Sequence, residues 1–148
     1  MDWQITIDCA DPAPLVRFWA AALDYVVTPP PEGFDTWNAY YLSVGVPEDE
    51  LDLDSDGADR IMDPTGAGPA FWFQVVPEPK TDKNRLHLDL FPTRRDRSLP
   101  LDERRRIVDA TVADLEALGA TIWRRLDDDP SHYAVTLRDP GGNEFCVA

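Results

Sequence analysis

Cysteine, positive charge and long apolar runs are scarce in this sequence, and each shortage excludes a class of protein. The 148 residues include only two cysteines, Cys9 and Cys146, at opposite ends of the chain. A disulfide framework is therefore not expected, and we interpret both as free thiols in a reducing compartment. Lys and Arg number 14 against 28 Asp and Glu, which gives a formal net charge of -14. Because this charge repels phosphate backbones and anionic lipid surfaces, neither nucleic acid nor a membrane is expected as a partner.

The distribution of apolar residues also bears on location. No apolar run reaches the ~20 residues that a membrane-spanning helix needs. The first segment, MDWQITIDCA, lacks the basic region and the long apolar stretch of a signal peptide. We therefore expect a cytoplasmic protein.

The sequence does contain enough apolar surface for a folded core. Hydrophobic residues make up 43% and aromatic residues 10% of the chain, a composition that offsets the entropy lost on ordering it. Residues 3–9 alternate strictly between apolar and polar, which predicts a half-buried strand. Asp11 and Pro12 are typical of a helix start, and the apolar spacing that follows predicts a helix over residues 12–23.

The order of predicted elements repeats once along the chain. In the first half, further strands are predicted over residues 37–44 and 71–76. In the second half, a strand is followed by a long helix that ends at Gly119 and by three strands; the strands cover residues 84–91, 120–126, 133–139 and 144–148. Each half is then β-α-β-β-β, with one strand of the first half unplaced. The sequence predicts a single α+β domain, residues 1–148, made of two modules of approximately 1–82 and 83–148.

The two modules are expected to share a cleft. A four-stranded sheet with one helix leaves one face uncovered, so paired modules can form a curved mixed sheet around a cleft, with the helices on the outer face. Side chains alternate between the two faces of a strand, so those that do not pack into the core point into the cleft. The side chains expected to face the cleft are Gln4, Thr6, Asp8, Trp72, Gln74, Arg85, His87, Asp89, Glu144 and Cys146.

Three segments give the chain a resemblance to a known superfamily. They are DCADPAPLVRFWAAALDY, FWFQVVPEPKTDKNRLHLDL, and LEALGATIW with the later VTLRDPGGNEFCV. Together they resemble the vicinal oxygen chelate superfamily, in the glyoxalase-like branch that also holds bleomycin-resistance proteins and dioxygenases. The resemblance implies paired βαβββ modules and association into a homodimer.

The resemblance also implies positions for a metal. In the metal-dependent members, four inward-facing His, Glu or Gln side chains hold a divalent cation that binds two neighbouring substrate oxygens. The matching positions here are Gln4 (or Thr6 if the register shifts by two), Gln74, His87 and Cys146. Two neutral amides give a divalent ion little charge compensation, and a thiol in apolar surroundings tends to stay protonated. No metal cofactor is therefore expected, and a divalent metal at these four residues is the alternative.

Two functions are consistent with these residues. The first is the binding of a small organic ligand in the cleft without turnover, as in bleomycin resistance. Its expected ligand-binding residues are Gln4, Trp72, Gln74, His87, Asp89 and Cys146. The second is a divalent-metal-dependent lyase, isomerase or dioxygenase, in which Glu144 or Asp89 acts as a general base with a raised pKa. The sequence leaves open whether the chain is an enzyme.

An acidic segment has the spacing of a calcium loop. Asp52, Asp54, Asp56 and Gly57 match the start of such a loop, but Asp63 stands where a bidentate glutamate belongs. We interpret the segment as a solvated surface loop. The arginine-rich stretch over residues 94–106 is likewise interpreted as surface charge that pairs with neighbouring acidic residues.

Overall fold

The computed structural model describes residues 3–129 and 131–148. The chain divides into two compact units, Met1–Pro79 and Lys80–Ala148. Each unit contains one four-stranded mixed sheet together with helices. The α+β class predicted from the sequence is confirmed.

The first unit begins with the strand and helix that the sequence predicts. In chain order it contains β1 (Gln4–Cys9), α1 (Pro12–Leu23), β2 (Val26–Val27), α2 (Trp37–Ser43), a 3-10 turn (Glu48–Glu50), β3 (Arg60–Met62) and β4 (Ala70–Val75). The side chain of Asp11 accepts a hydrogen bond from the backbone N–H of Ala13 at 3.0 Å. This cap satisfies a free donor at the start of α1, so the helix begins where the Asp-Pro pair predicts.

The prediction of a strand over residues 37–44 is wrong, because this segment forms α2. The Thr36 hydroxyl caps the helix by accepting from the N–H of Ala39 at 3.0 Å. Helical spacing then brings the ring of Trp37 within 5.8 Å of Tyr40 and 5.6 Å of Tyr41, measured between centroids. These aromatic contacts stabilise a helix from residues whose intrinsic preference is for strands.

The second unit repeats the order of the strands and the first helix, without counterparts of α2 and the 3-10 turn among its described residues. It contains β5 (Asp89–Leu90), α3 (Leu101–Ala117), β6 (Thr121–Leu126), β7 (Ala134–Arg138) and β8 (Glu144–Val147). Gly119 has a φ of 112°, a left-handed value that favours glycine and ends the helix as predicted.

The predicted strand over residues 84–91 is shortened to Asp89–Leu90. The backbone N–H of Asn84 donates to the Glu144 carboxylate at 2.9 Å and not to a neighbouring strand. Regular pairing starts only where the N–H of Cys146 donates to the carbonyl of Leu88 at 2.9 Å. As a result, His87 lies just before the strand.

The two sheets have the same topology. The strand orders are β1-β4-β3-β2 and β5-β8-β7-β6. In each sheet the first and last strands of the unit pair in parallel, and the other neighbours pair antiparallel. The short strands β2 and β3 take the places of the strand that was left unplaced in the first half and of the strand wrongly predicted over residues 37–44. The internal βαβββ repeat is therefore present in the backbone.

In each unit, one helix covers one face of the sheet. Trp19 of α1 stacks on Phe71 of β4 with ring centroids 6.3 Å apart, and Arg125 of β6 bonds Asp109 of α3 at 2.6 Å. We call the opposite faces the distal faces. The register puts Gln4, Thr6, Asp8, Arg60, Trp72 and Gln74 on the distal face of the first sheet, and Asp89, Thr136, Arg138, Glu144 and Cys146 on that of the second.

The core of each unit lies between its sheet and its helix. In the first unit Phe18, Ile61 and Phe73 are 1% exposed or less, as are Val108 and Leu137 in the second. Among the described residues, no helix is both long and apolar enough to cross a bilayer.

Candidate functional site

The distal face of the first sheet carries three of the predicted ligand-binding residues. In the register of β1 and β4, Thr6 lies beside Trp72 and Asp8 lies beside Gln74. Gln4 lies beside Ala70, and its amide donates to the Thr6 hydroxyl at 3.4 Å. This alternation follows directly from the strand pattern in the sequence.

The register separates Gln4 from Gln74. Asp8, the residue beside Gln74, is four positions along β1 from Gln4, which corresponds to about 13 Å of strand. The structure therefore brings Gln74 together with a carboxylate, and the two glutamines of the predicted metal set lie well apart on this face. A metal role for Gln4 remains a prediction.

Trp72 is held by a network that the sequence analysis missed. Its indole N–H donates to Asp59 Oδ2 at 2.7 Å, and the Tyr41 hydroxyl donates to the same oxygen at 2.8 Å. The Asp59 side chain is only 13% exposed. Its other oxygen, Oδ1, lies 3.1 Å from Arg60 Nε, although this ion pair lacks the alignment of a hydrogen bond.

Arg60 lies between two indole rings. Its guanidinium carbon is 4.7 Å from the centroid of the Trp37 ring and 5.2 Å from that of Trp72. Such distances are typical of cation–π contacts. Trp37 is itself fixed, because its indole N–H donates to the carbonyl of Thr28 at 2.8 Å. The ring of Trp72 is therefore immobilised on the distal face from two sides.

The same network changes the acidity of Tyr41. Burial, together with the hydrogen bond to the Asp59 carboxylate, raises the pKa of Tyr41 to about 12. The folded state therefore retains this proton up to a higher pH than the unfolded chain does, since a free tyrosine has a pKa of about 10. The corresponding stabilisation is complete below pH ~10 and is lost as the pH rises toward 12.

We expect this titration to be visible by spectroscopy. The ultraviolet absorbance of tyrosinate in the wild type should show a transition near pH 12 that is missing in Tyr41→Phe. The neighbouring Tyr40→Phe is the matched control and should keep it. If the transition near pH 12 persists in Tyr41→Phe, it belongs to another tyrosine, and the assignment to Tyr41 is contradicted.

The distal face of the second sheet brings together the other three predicted residues. His87 Nε2 lies 3.2 Å from Asp89 Oδ1, and Asp89 lies beside Cys146 in the register. One donor atom of each residue lies within 4.8 Å of the other two. The Cys146 sulfur also lies 3.4 Å from the Thr136 hydroxyl. Of the predicted residues in this unit, His87, Asp89 and Cys146 therefore form one group.

The donor chemistry of this group fits one kind of metal. One imidazole nitrogen, one carboxylate oxygen and one sulfur suit zinc, whereas manganese and magnesium prefer sites made of oxygen donors. Three protein ligands are also the number found in catalytic zinc sites, which keep a further position for water or substrate. The His87 and Asp89 side chains are 41% and 46% exposed, so such a position would be accessible.

Glu144 does not have the raised pKa that a general base of the predicted kind needs. Its side chain is 6% exposed, and burial alone would raise its pKa. Hydrogen bonding from the backbone N–H of Asn84 and the charge of Lys80 outweigh the burial, so the pKa of Glu144 is lowered. The prediction of a raised pKa for Glu144 is wrong, because the carboxylate is surrounded by donors.

In the acidic loop, the aspartate side chains bond to nearby backbone N–H groups. Asp52 Oδ1 accepts from the N–H of Asp54 at 3.2 Å, and Asp56 Oδ1 accepts from the N–H of Ala58 at 2.9 Å. Each carboxylate thus caps its own turn. Among the described residues, only the group of His87, Asp89 and Cys146 brings three His, Cys, Asp or Glu donors together. The interpretation as a surface loop agrees with this geometry.

Comparison with known proteins gives one family. The sequence model of the glyoxalase-like domain matches residues 4–148. No curated protein sequence matches the chain.

Solved structures share the fold at low sequence identity. A glyoxalase/bleomycin resistance protein/dioxygenase family enzyme from Burkholderia phytofirmans superposes with a TM-score of 0.56 at 15% identity, covering 97% of this chain and 94% of that one. A mutant of the fosfomycin resistance protein FosX from Listeria monocytogenes, complexed with Mn(II) and 1S,2S-dihydroxypropylphosphonic acid, gives a TM-score of 0.55 at 11% identity, covering 97% and 85%. A hypothetical protein from S. aureus superposes with a TM-score of 0.54 at 12% sequence identity, and the match covers 99% of this chain and 95% of that one.

Proposed function

The chain belongs to the glyoxalase-like family, and from this premise we propose that it binds a small organic ligand on the distal face of its first sheet, without a catalytic metal. The observation that carries the proposal is the immobilised ring of Trp72, held by Asp59 and by Arg60. A fixed aromatic ring loses little entropy when a planar or apolar group stacks on it.

Polar side chains next to Trp72 give the face a means of selecting its ligand. Thr6 lies beside the indole in the register, and the pair Asp8 and Gln74 follows two residues further along the strands. Thr6 and Asp8 are exposed, and Gln74 is half-buried. One aromatic surface with a few hydrogen-bonding groups is the usual composition of a small-molecule site. None of these contacts requires an ion.

A thermal-shift screen of aromatic and antibiotic-like compounds tests the proposal. A ligand that binds the native state raises the unfolding temperature, and we expect Trp72→Ala and Gln74→Ala each to remove that rise. Because Trp72→Ala deprives Asp59 of a donor, Trp72→Phe is included to keep a ring at this position, and it should retain part of the shift.

Trp3→Ala is the matched control. Trp3 precedes β1 and is 67% exposed. The alternation of β1 assigns it to the helix-covered face and not to the distal face, so its removal should leave the ligand-induced rise in unfolding temperature unchanged. Hits that survive both Trp72→Ala and Gln74→Ala would place the ligand elsewhere and contradict the proposal.

A zinc-dependent activity is the second candidate function, and the group of His87, Asp89 and Cys146 favours it. If zinc binds here, these three side chains would hold it, and it would act as a Lewis acid toward a substrate oxygen. The FosX complex contains Mn(II), but the sulfur of Cys146 makes the donor set of this chain better suited to zinc.

The metal content of protein purified without chelator or metal-affinity resin separates the two functions. The metal-free proposal predicts zinc far below one equivalent in the wild type. One equivalent of zinc that is lost in His87→Ala and in Cys146→Ser would favour the second candidate. The other histidine, His132, provides the matched control, because His132→Ala should not change the metal content in either case.

A further inference from the structure

A cavity in the second unit is lined by none of the six predicted ligand-binding residues. It has a volume of about 180 Å³ and borders the turn between β7 and β8; its walls are formed by Lys80, Thr81, Arg138, Gly141, Gly142 and Glu144. A cavity volume of roughly 10–15 Å³ is enough for one water molecule. The cavity can therefore hold a small molecule or ion.

The turn keeps one wall of the cavity free of side chains. Asp139 Oδ1 accepts from the N–H groups of Gly141 and Asn143, both at 2.9 Å. Gly142 has a φ of 84°, which favours glycine over every residue with a side chain. A Cβ atom at this position would lie 3.8 Å from Lys80 Cγ, so a larger residue would extend toward the lysine.

The charge of the cavity is positive in an otherwise acidic protein. Lys80 and Arg138 contribute two positive charges, and Glu144 contributes one negative charge. The Glu144 carboxylate already accepts from the N–H of Asn84 at 2.9 Å and from Lys80 at 3.5 Å. Among the residues that line the cavity, positive charges exceed negative charges by one, against a formal charge of -14 for the whole chain.

Both cations keep N–H groups that are not hydrogen-bonded to any acceptor in the part of the chain that the structure describes. The guanidinium of Arg138 is 3.9 Å from Glu144 Oε1, too long for a hydrogen bond. It lies over the ring of Trp123 at 4.9 Å, which fixes its position while its side chain remains 45% exposed. The ammonium of Lys80 donates to the carbonyl of Asp82 and to Glu144, which leaves one of its three N–H groups.

We propose that this cavity binds a small oxyanion, such as a phosphate, phosphonate or carboxylate group. Arg138 supplies paired N–H donors, which match the oxygen spacing of such groups. Lys80 supplies the second charge, and the Thr81 hydroxyl can donate a further hydrogen bond. The site lies in the second unit and goes beyond the proposed function, which concerns the distal face of the first.

Calorimetric titration with inorganic phosphate, at constant ionic strength set with sodium chloride, tests this site. We expect saturable binding to the wild type and an affinity about tenfold weaker in Arg138→Gln and in Lys80→Gln, since each loses a charge-assisted hydrogen bond. The exposed residues Arg97 and Lys83 provide matched controls, because Arg97→Gln and Lys83→Gln remove the same charge elsewhere. Circular dichroism verifies that each variant is folded.

Glu144→Gln provides a test with the opposite sign. The substitution keeps an acceptor for Asn84 but removes the negative charge next to the anion, so phosphate should bind more tightly than to the wild type. Methylphosphonate and acetate then identify the preferred oxyanion, and saturable binding of either in the same pattern supports the site.

The proposal is overturned if the wild type shows no saturable binding of phosphate, methylphosphonate or acetate. It is equally overturned if Arg138→Gln and Lys80→Gln bind these anions as the wild type does. Trp72→Ala should leave phosphate binding unchanged, so failure of this inference is distinguishable from failure of the proposed function.

Discussion

Asp59→Ala should destabilise the protein by about 3–5 kcal/mol, because two hydrogen bonds to a charged acceptor, each worth about 1.5–3 kcal/mol, lose their partner. The carboxylate accepts from the Tyr41 hydroxyl at 2.8 Å and from the Trp72 indole at 2.7 Å, and it lies 3.1 Å from Arg60. Its removal would leave all three groups without their common partner. The cost is that of several unsatisfied polar groups and not of a lost surface charge.

Urea unfolding of the wild type and two variants measures this loss. Asp54→Ala is the matched control, because Asp54 is exposed in the acidic loop and should change the free energy of unfolding by less than about 0.5 kcal/mol. A loss below about 1 kcal/mol in Asp59→Ala would resemble an exposed ion pair. The network would then not be what holds Trp72 in place.

Glu144→Ala should be the second strongly destabilising substitution, and its effect should depend on pH. The carboxylate is 6% exposed, accepts from the Asn84 N–H at 2.9 Å and faces Lys80 and Arg138. Loss of these charge-assisted bonds should cost about 1.5–3 kcal/mol near neutral pH.

The sign of the pH dependence follows from the lowered pKa of Glu144. An unfolded glutamate titrates near pH ~4.3, and the folded state binds this proton only at lower pH. The stabilisation is therefore present above that value and is lost as the pH falls through the folded pKa. We expect the difference in the free energy of unfolding between the wild type and Glu144→Gln to become smaller below about pH 4. A difference that grows on acidification would mean that the carboxylate is protonated in the folded protein at neutral pH.

Strong local signals explain why much of the fold could be predicted from the sequence. Asp11 and Pro12 fix the start of α1, and Gly119 fixes the end of α3, because capping and left-handed backbone depend on single residues. The alternation of β1, β7 and β8 also fixes which side chains share a face. The alternation of residues 84–91 and of β8 assigned His87, Asp89 and Cys146 to one face, and the three lie together in the structure although His87 precedes β5.

One error in the predicted elements comes from a missed local signal, and the other comes from a tertiary contact. Residues 37–44 have the aromatic composition of a strand, but the Thr36 cap and the ring contacts of Trp37 favour a helix. Residues 84–88 alternate like a strand, but the Asn84 N–H is engaged by the distant Glu144. The Thr36 cap and the ring contacts span only three or four residues and were a local signal that the strand prediction missed, whereas no short-range pattern contains the contact of Asn84 with Glu144.

The network around Trp72 was also missed. Its central residue, Asp59, lies directly before β3, which is only three residues long and too short to give a periodic signal. Its partner Tyr41 lies in the helix that was predicted as a strand. The alternation of Arg60, Ile61 and Met62 was the one available clue, since it places Arg60 on the same face as Trp72.

The most direct test of ligand binding without a metal is a calorimetric titration of the best screening hit into the protein, performed with and without a chelator. The account predicts the same affinity in both conditions, and an affinity about tenfold or more weaker in Trp72→Ala, as expected for loss of an aromatic contact in a binding site. Binding that disappears with the chelator, or that is unchanged in Trp72→Ala, would contradict it.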